Sequence, residues 1–513
     1  MRLRETARVW MDRIFLGVVL AAAPLFLFPR ARYAWVGIVL GSMLVARGAI
    51  WGRFLERTPL DWAVGALGLM ILATCFVVPD IEFSMGKIAG ALYGILLYYA
   101  AVAVIRTERA IRAGVYAFVL VGVALAVFGI VGAMLLGPEQ AFVRVLPGLT
   151  KYIPKHNWAL PGAEAGINPN AVGGSLLWVI PLALFLAGAM LGALGGRPKN
   201  EAGATTSEGK DDGRADAAGA DMRESRITGT AVGGTPDSVN RESEVRLQPH
   251  RQERGRFGER WRHLGFIGLI LASVVLLAAL FLSQSYGTWI ALILSVWLIG
   301  LSPKRKAWSL AGALVLCGAI YAIGPLRRAV APLAITGTAG TGETAPTANV
   351  VRVKIEQRYG LWSAGVGAIR RAPVLGVGMN RLRLDPGISF ENAHAHNQFI
   401  TTGAELGIPG LVAYIAILVG AGWMAWVVWK RSPDPWMRTA ALGLIAGQLA
   451  FHIFGLGDAI TLGSKPGALF WASLALIAAM YNYINRRSEI VDQEAQAIGC
   501  GHNSSVTREG QRT

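Results

Sequence analysis

The sequence predicts an all-α fold, a polytopic transmembrane helical bundle of about twelve spans with a large extracytoplasmic loop between the ninth and tenth. Three observations carry this prediction. Hydrophobic residues make up 53% of the chain and charged residues 16%, more apolar surface than a water-soluble domain can bury. The apolar residues fall in uninterrupted stretches of the roughly 20 residues that cross a bilayer. Short basic clusters recur on alternate connections, as Lys and Arg do when retained on one side of a membrane.

In chain order, residues 1–194 hold the first six spans, near Ile14 to Phe28, Tyr33 to Ile50, Leu60 to Val78, Lys87 to Ile105, Ala113 to Leu136 and Ala171 to Leu194. The basic N-terminus (Arg2, Arg4, Arg8, Arg13) before an apolar run resembles a secretory signal, but the many spans that follow make it an uncleaved first helix. Residues 195–263 are rich in Gly, Ala, Ser, Thr and charges and hold few large apolar side chains. Such a stretch cannot bury enough surface to offset its ordering entropy, so a disordered cytoplasmic insert is expected. Residues 264–323 hold spans seven to nine, near Leu264 to Leu282, Tyr286 to Leu301 and Ala307 to Ile323. The extracytoplasmic loop covers 324–407. Residues 408–485 hold the last three spans, near Ile408 to Trp429, Thr439 to Phe454 and Ala468 to Ile484, and 486–513 form a disordered tail.

Arg47, Arg53 and Arg57, then Arg106, Arg109 and Arg112, then Lys304 to Lys306, then Lys430, Arg431 and Arg438 all lie on connections that share a side with both termini. Both termini are therefore expected in the cytoplasm. Arg30 and Arg32 run against the rule. The net charge of +17 reports this topology rather than a nucleic-acid partner. Cys75 and Cys317 fall inside apolar spans and Cys500 in the tail, so cysteine offers neither a disulfide nor a metal site.

The large loop is where chemistry can be housed. It gathers Arg352, Lys354, Arg358, Arg370, Arg371, Arg381 and Arg383 against few acids, a density that topology does not explain. The guanidinium fork suits phosphate oxygens and would stabilise a departing diphosphate; solvated surface charge or attraction to lipid head groups is the plain alternative. Downstream, Asn392 is expected to cap a helix in which His394, Gln398, Thr401 and Glu405 share one face and His396, Phe399, Ile400 and Gly403 the other, ending at Gly407 and Pro409. A neutral imidazole at His396 can act as a general base, though an isolated buried histidine is more often a satisfied core residue. No Cys, further His or tight carboxylate cluster accompanies His394 and His396 in the loop, so no metal is expected.

His396-Asn397, nine residues, then Gly407-Ile408-Pro409-Gly410 resembles the signature of the bacterial O-antigen ligase and O-antigen polymerase superfamily. Arg358 to Trp362, running on to Ala372 to Gly378, looks like that family's entry into its extracytoplasmic loop. Ile167 to Asn170 looks like a further family segment, as do His452 and Asp458 near the outer end of the eleventh span. The resemblance covers nearly the whole chain apart from the insert and tail.

It implies a membrane glycosyltransferase without metal or other cofactor, moving a glycan from undecaprenyl pyrophosphate to an acceptor on the outer face of the bacterial cytoplasmic membrane. The acceptor is a lipid A core sugar in ligases, a growing lipid-linked chain in polymerases, or a protein in related oligosaccharyltransferases. His396 matches the family's essential histidine and Arg358 a loop arginine that holds the diphosphate. Arg352, Arg370, Arg371, His394, Asn397, Tyr286, Asn170 and His452 are the expected substrate-binding residues. One departure stands out: where the family commonly has Ser-Arg-Gly at the start of the eighth span, this chain has Ser283-Gln284-Ser285-Tyr286-Gly287. Tyrosine brings a hydrogen bond but no positive charge, and Arg370 and Arg371 are the candidates to replace it.

A transporter or flippase of lipid-linked glycans is the competing class. It would place ionisable groups at mid-depth, and the middles of the expected spans hold essentially none.

Overall fold

The computed structural model describes residues 2–22, 56–136, 169–195, 263–283, 285–300, 348–388 and 394–509, with isolated positions between 42 and 49. Among these the structure is helical. We number the helices α1 (Arg2–Ala21), α2 (Asp61–Val77), α3 (Ile81–Val104), α4 (Glu108–Leu136), α5 (Pro169–Leu176), α6 (Ile180–Gly195), α7 (His263–Leu282), α8 (Tyr286–Gly300), α9 (Ala348–Arg371), α10 (Gln398–Arg431), α11 (Pro435–Phe454) and α12 (Gly467–Glu509). The chain divides into two compact units, Met1–Ala187 with Leu269–Thr513, and Gly188–Gly268. All that follows concerns the first.

Seven described segments are long and apolar enough to cross a membrane, and α2 and residues Gly287–Ile299 of α8 are apolar but shorter. The count of twelve is therefore not what the described helices provide. The expected second and ninth spans, the insert between Gly195 and His263, and the first part of the large loop lie outside the described residues. The expected tail is different in kind: α12 continues past Asn485 to Glu509, with no proline between Gly467 and that point to interrupt it.

Local chemistry explains the boundaries. Asp80 caps α3 by accepting from the Phe83 N–H at 3.3 Å, and Asp434 caps α11 by accepting from Trp436 at 2.9 Å with Pro435 in the first turn, where a missing N–H costs nothing. The expected sixth span is two pieces. Leu177 and Val179 make tightened bonds to Gly174 and Leu176, and Pro181 cannot donate to the preceding turn, so the helix breaks between α5 and α6.

Packing relies on close approach of small residues, as in bilayers where apolar burial alone drives little association. A Cβ on Gly447 of α11 would sit 2.4 Å from the Trp178 carbonyl oxygen. Outward faces remain apolar: Trp62 and Phe76 on α2 are 91% and 92% exposed, as expected of side chains that meet lipid. Trp423, Trp426 and Trp429 on α10 lead to Lys430 and Arg431, with the Lys430 ammonium 4.6 Å from the Trp429 ring, the composition of a membrane-water interface.

Connections that the charge pattern assigned to one side do meet at one end of the bundle. Arg106 bonds Asp12 at 2.8 Å and Glu56 at 2.5 Å, Arg112 bonds Asp434 at 2.7 Å, and Asn482 donates to the Arg57 carbonyl. At the other end of α3, about 36 Å away by helix rise, Ser84 donates to the Met379 carbonyl and Asn380 to that of Phe83. The Arg106 side chain is 21% exposed and that of Asp12 only 3%. Arg106→Ala, which removes a shared cation from two acids, one of them buried, is expected to destabilise the detergent-solubilised protein by about 3 kcal/mol, read as a fall in thermal midpoint.

Candidate active site

The site is built at the junction of α9, the segment 394–397 and the loop after α11. Along α9, Leu361, Ala364, Ala368 and Ile369 recur at helical spacing and pack with Leu382, Ile388, Ala395, Ile400 and Ala404 into a small apolar core. This core holds α9 against the start of α10.

The helix expected to begin at Asn392 begins instead at Gln398. Asn397 is its cap, its Oδ1 accepting from the N–H groups of Phe399 and Ile400 at 3.0 Å each. Residues His394 to Asn397 are non-helical, so the expected face holding His394 with Gln398 does not form. Three bonds then staple this corner to the loop after α11: Gln398 N–H to the Gly455 carbonyl at 2.7 Å, Asn397 Nδ2 to the Leu456 carbonyl at 3.1 Å, and His396 Nδ1 to Asp458 Oδ1 at 3.0 Å.

The expected break at Gly407 is present. Gly407 is non-helical inside α10, with φ 72° and ψ 179°, a region essentially closed to other residues. The C-terminal carbonyls exposed by the break are taken up by the preceding loop: Val377 donates to Ala404, Gly378 to Glu405, and Ile408 in turn to Pro373. That docking is why the run Ala372 to Gly378 precedes the histidines.

His396 has a positive φ of 49°, uncommon for a side chain other than Gly but commoner for His and Asn. Its carbonyl accepts from the Trp362 indole at 3.4 Å. A carboxylate only accepts, so the Nδ1 facing Asp458 carries the proton and Nε2 is left as the basic nitrogen. Burial pushes the Asp458 carboxyl up, but the hydrogen bond from His396, that ring's charge when protonated, and the Ala459 N–H outweigh it and hold the group below the usual carboxylate range. The pair can take a proton from a hydroxyl and stabilise the imidazolium that results.

His394 stands beside it with ring centroids 4.6 Å apart. Its Nδ1 accepts from the His396 N–H at 3.2 Å, which puts its proton on Nε2, 4.0 Å from Asp458. Burial pushes its pKa down to about 4, with the charges of His396, Lys87 and Arg383 acting the same way and Asp458 opposing. It is a neutral neighbour at physiological pH.

Arg358 joins this centre: its guanidinium lies 3.3 Å from where a Cβ on Gly457 would stand, one residue before Asp458. Asn170 is half-buried one turn before Gly174, which abuts Phe454 and Ile460 beside the same loop. Tyr286 opens α8 next to Gly287, which faces Phe454; the side chains of Tyr286 and Arg352 lie outside the described residues.

Other expected residues are placed elsewhere. Arg370 and Arg371 lie on the same helix as Arg358 but about 18 Å and 20 Å further along it, exposed, with Arg371 paired to Asp385, so they do not supply the charge that Tyr286 lacks. His452 is buried in an aromatic cluster with both nitrogens used: Nδ1 donates to the Gln448 carbonyl at 2.6 Å and Nε2 accepts from Tyr414 at 2.7 Å. It is a satisfied core histidine. The polar groups of Asn397 are spent on capping and stapling, which makes it a positioning residue.

Asp458 is not among the expected site residues, since its place near the outer end of the eleventh span gives no sign in sequence that it faces His396. It also completes a possible metal-ligand set, since one ligand atom each from His394, His396 and Asp458 lies within 4.8 Å of the others. In the arrangement seen, the Nδ1 atoms of both histidines are already engaged in hydrogen bonds.

No curated protein matches the chain. A family model described as O-antigen ligase matches residues 271–415, from within α7 to the first half of α10, a stretch that contains Arg358, His394, His396 and Gly407 and stops short of Asp458. Residues 271–415 of this multi-pass membrane protein thus match an O-antigen ligase domain, a match that supports the O-antigen ligase and O-antigen polymerase superfamily.

Proposed function

We propose that the protein transfers a glycan from undecaprenyl pyrophosphate to a glycan or lipid acceptor on the outer face of the bacterial cytoplasmic membrane, with both termini in the cytoplasm. The observation that carries the reading is the 3.0 Å contact between His396 and Asp458 with Arg358 beside it. The acceptor hydroxyl oxygen attacks the anomeric carbon of the donor as the bond from that carbon to the diphosphate oxygen breaks. The electron pair leaves with the diphosphate, whose charge Arg358 offsets, and the hydroxyl proton passes to His396 Nε2. An anionic diphosphate needs no proton to depart, so no second acid is required. Attachment to lipid A core sugar and chain elongation are the same bond exchange and differ only in the acceptor.

Purified protein given lipid-linked donor and acceptor is expected to release undecaprenyl pyrophosphate in step with glycan transfer. Ion-gradient-dependent movement of the intact donor across vesicles, with no release, would replace this reading with a flippase. Transfer is proposed to need no metal, so dialysis against a chelator is expected to leave the rate within twofold. A loss restored by a divalent cation would instead make His394, His396 and Asp458 ligands.

A further inference from the structure

A second face of α9 is open. Tyr359, Ser363, Gly367 and Arg371 recur at four-residue spacing, so they stand one above another along the helix. Opposite them run Leu384 and Asp385 of the turn that follows, and the space between is a groove of about 980 Å³. By helix rise it extends about 18 Å from Tyr359 to Arg371. It begins beside the transfer centre, because Arg358, one residue before Tyr359, is the guanidinium that approaches Gly457. None of the groove residues has a part in the chemistry above.

The two walls are held together. A Cβ on Gly387 would stand 2.6 Å from that of Ala364, so the turn touches the helix there. Arg371 on one wall pairs with Asp385 on the other, and the Gly387 N–H donates to Asp385 Oδ1 at 3.0 Å. The groove is therefore formed before anything enters it, which lowers the cost of binding.

Its lining is apolar at one end and polar at the other. α9 is too charged to be a membrane span, so lipid does not account for Tyr359, which is 73% exposed. Among the described residues no hydrogen bond engages its hydroxyl and no other ring packs on it. Such a ring offers its face to another flat apolar surface and its hydroxyl to water or a ligand. At the far end a fixed cation and a carboxylate lie side by side. The guanidinium carries five donors, most of them still open, and the carboxylate only accepts. Hydroxyl groups both donate and accept, so neighbouring hydroxyls match that pair, and Ser363 adds a further polar group between the two ends. With Arg381 the lining holds two cations and one acid, a balance that suits a neutral or weakly acidic polyhydroxyl better than a diphosphate. A pyranose has both required surfaces, a C–H face and a rim of hydroxyls.

We propose that the groove between α9 and the 381–387 turn is a subsite for a saccharide chain, with Tyr359 as its stacking platform and Arg371 with Asp385 as its hydroxyl-binding pair. Which glycan occupies it during transfer rests on the proposed function; the binding itself does not.

The test is saturation-transfer NMR on the purified full chain in a detergent without a sugar head group. Two probes are titrated: the oligosaccharide released by mild acid from the cells' polyprenyl-linked pool, and the oligosaccharide released from their envelope glycolipids. At least one is expected to bind. Tyr359→Ala and Arg371→Gln are expected to raise its Kd roughly tenfold, whereas Tyr359→Phe keeps the platform and stays within about threefold. Both positions are exposed, so these variants retain the fold. Arg370→Gln, next along the helix but outside the groove, should leave the Kd unchanged. Binding of neither probe, or equal weakening by Tyr359→Ala and Arg370→Gln, overturns the proposal. In the transfer assay, Tyr359→Ala is expected to raise KM at unchanged kcat. A higher KM for the donor assigns the groove to the donor glycan, and a higher KM for the acceptor assigns it to the acceptor glycan. A protein that binds saccharide here yet transfers none would remove the proposed function alone. Transfer by wild-type protein with no saccharide bound would remove the groove alone.

Discussion

His396→Ala is expected to lower the rate of glycan transfer by roughly 10²–10⁴-fold, the range for removing a positioned general base, with the protein still present in the membrane at wild-type abundance. Asp458→Asn should cost a comparable factor. It keeps the shape but removes the charge, and its amide can donate to Nδ1, which moves the ring proton to Nε2 and abolishes the basic nitrogen there. Because the two groups act as one unit, the double variant is expected to be no slower than the worse single one. Losses that multiply would show that the 3.0 Å contact is structural only. Wild-type transfer by His396→Ala would remove the proposed mechanism altogether.

Gly407→Val is the second large effect, and it arises without touching the centre. The backbone at φ 72° and ψ 179° excludes a β-branched residue, and a Cβ there would stand 2.2 Å from the Val374 carbonyl oxygen. The strain alone costs about 3 kcal/mol or more. Relief of the clash would undo the bonds from Val377 and Gly378 that join the 372–380 loop to the helix carrying Gln398 and Glu405. The expected outcome is a markedly lower thermal midpoint and loss of transfer together. Gly360→Ala, where nothing lies within 4 Å, should change neither, and an equal effect of the two substitutions would refute the account.

The histidine segment, the arginine at 358 and the break at Gly407 were legible in sequence because each is written in a short local pattern. A histidine pair before a helix, glycine and proline at a helix stop, and a basic loop between apolar spans need no knowledge of the rest of the chain. The errors came where a pattern was extended by periodicity alone. Starting the helix at Asn392 rather than Asn397 put His394 on a helical face that does not exist, since either asparagine can cap and only the contacts with Gly455 and Leu456 select one. Arg370 and Arg371 are near Arg358 in sequence but about half of α9's length away from it, because a helix separates what a loop would have left together. His452 read as polar and at the right depth, yet Tyr414 and Gln448 satisfy it.

Taken alone, the sequence determined that the chain is a multi-pass membrane protein, that the basic connections around Arg57, Arg106 and Arg112 and the one before α11 share an end of the bundle, and that His396 lies just before a long apolar helix. These follow from composition, run length and charge spacing, which act within a window of some 20 residues. Only the tertiary structure decided which groups face one another. Asp458 reaches His396 across 62 positions, Lys87 reaches Thr461 across 374, and Arg358 approaches Gly457 from a third element. Such pairings depend on how helices pack and where loops fold back, and no local pattern in the chain encodes them.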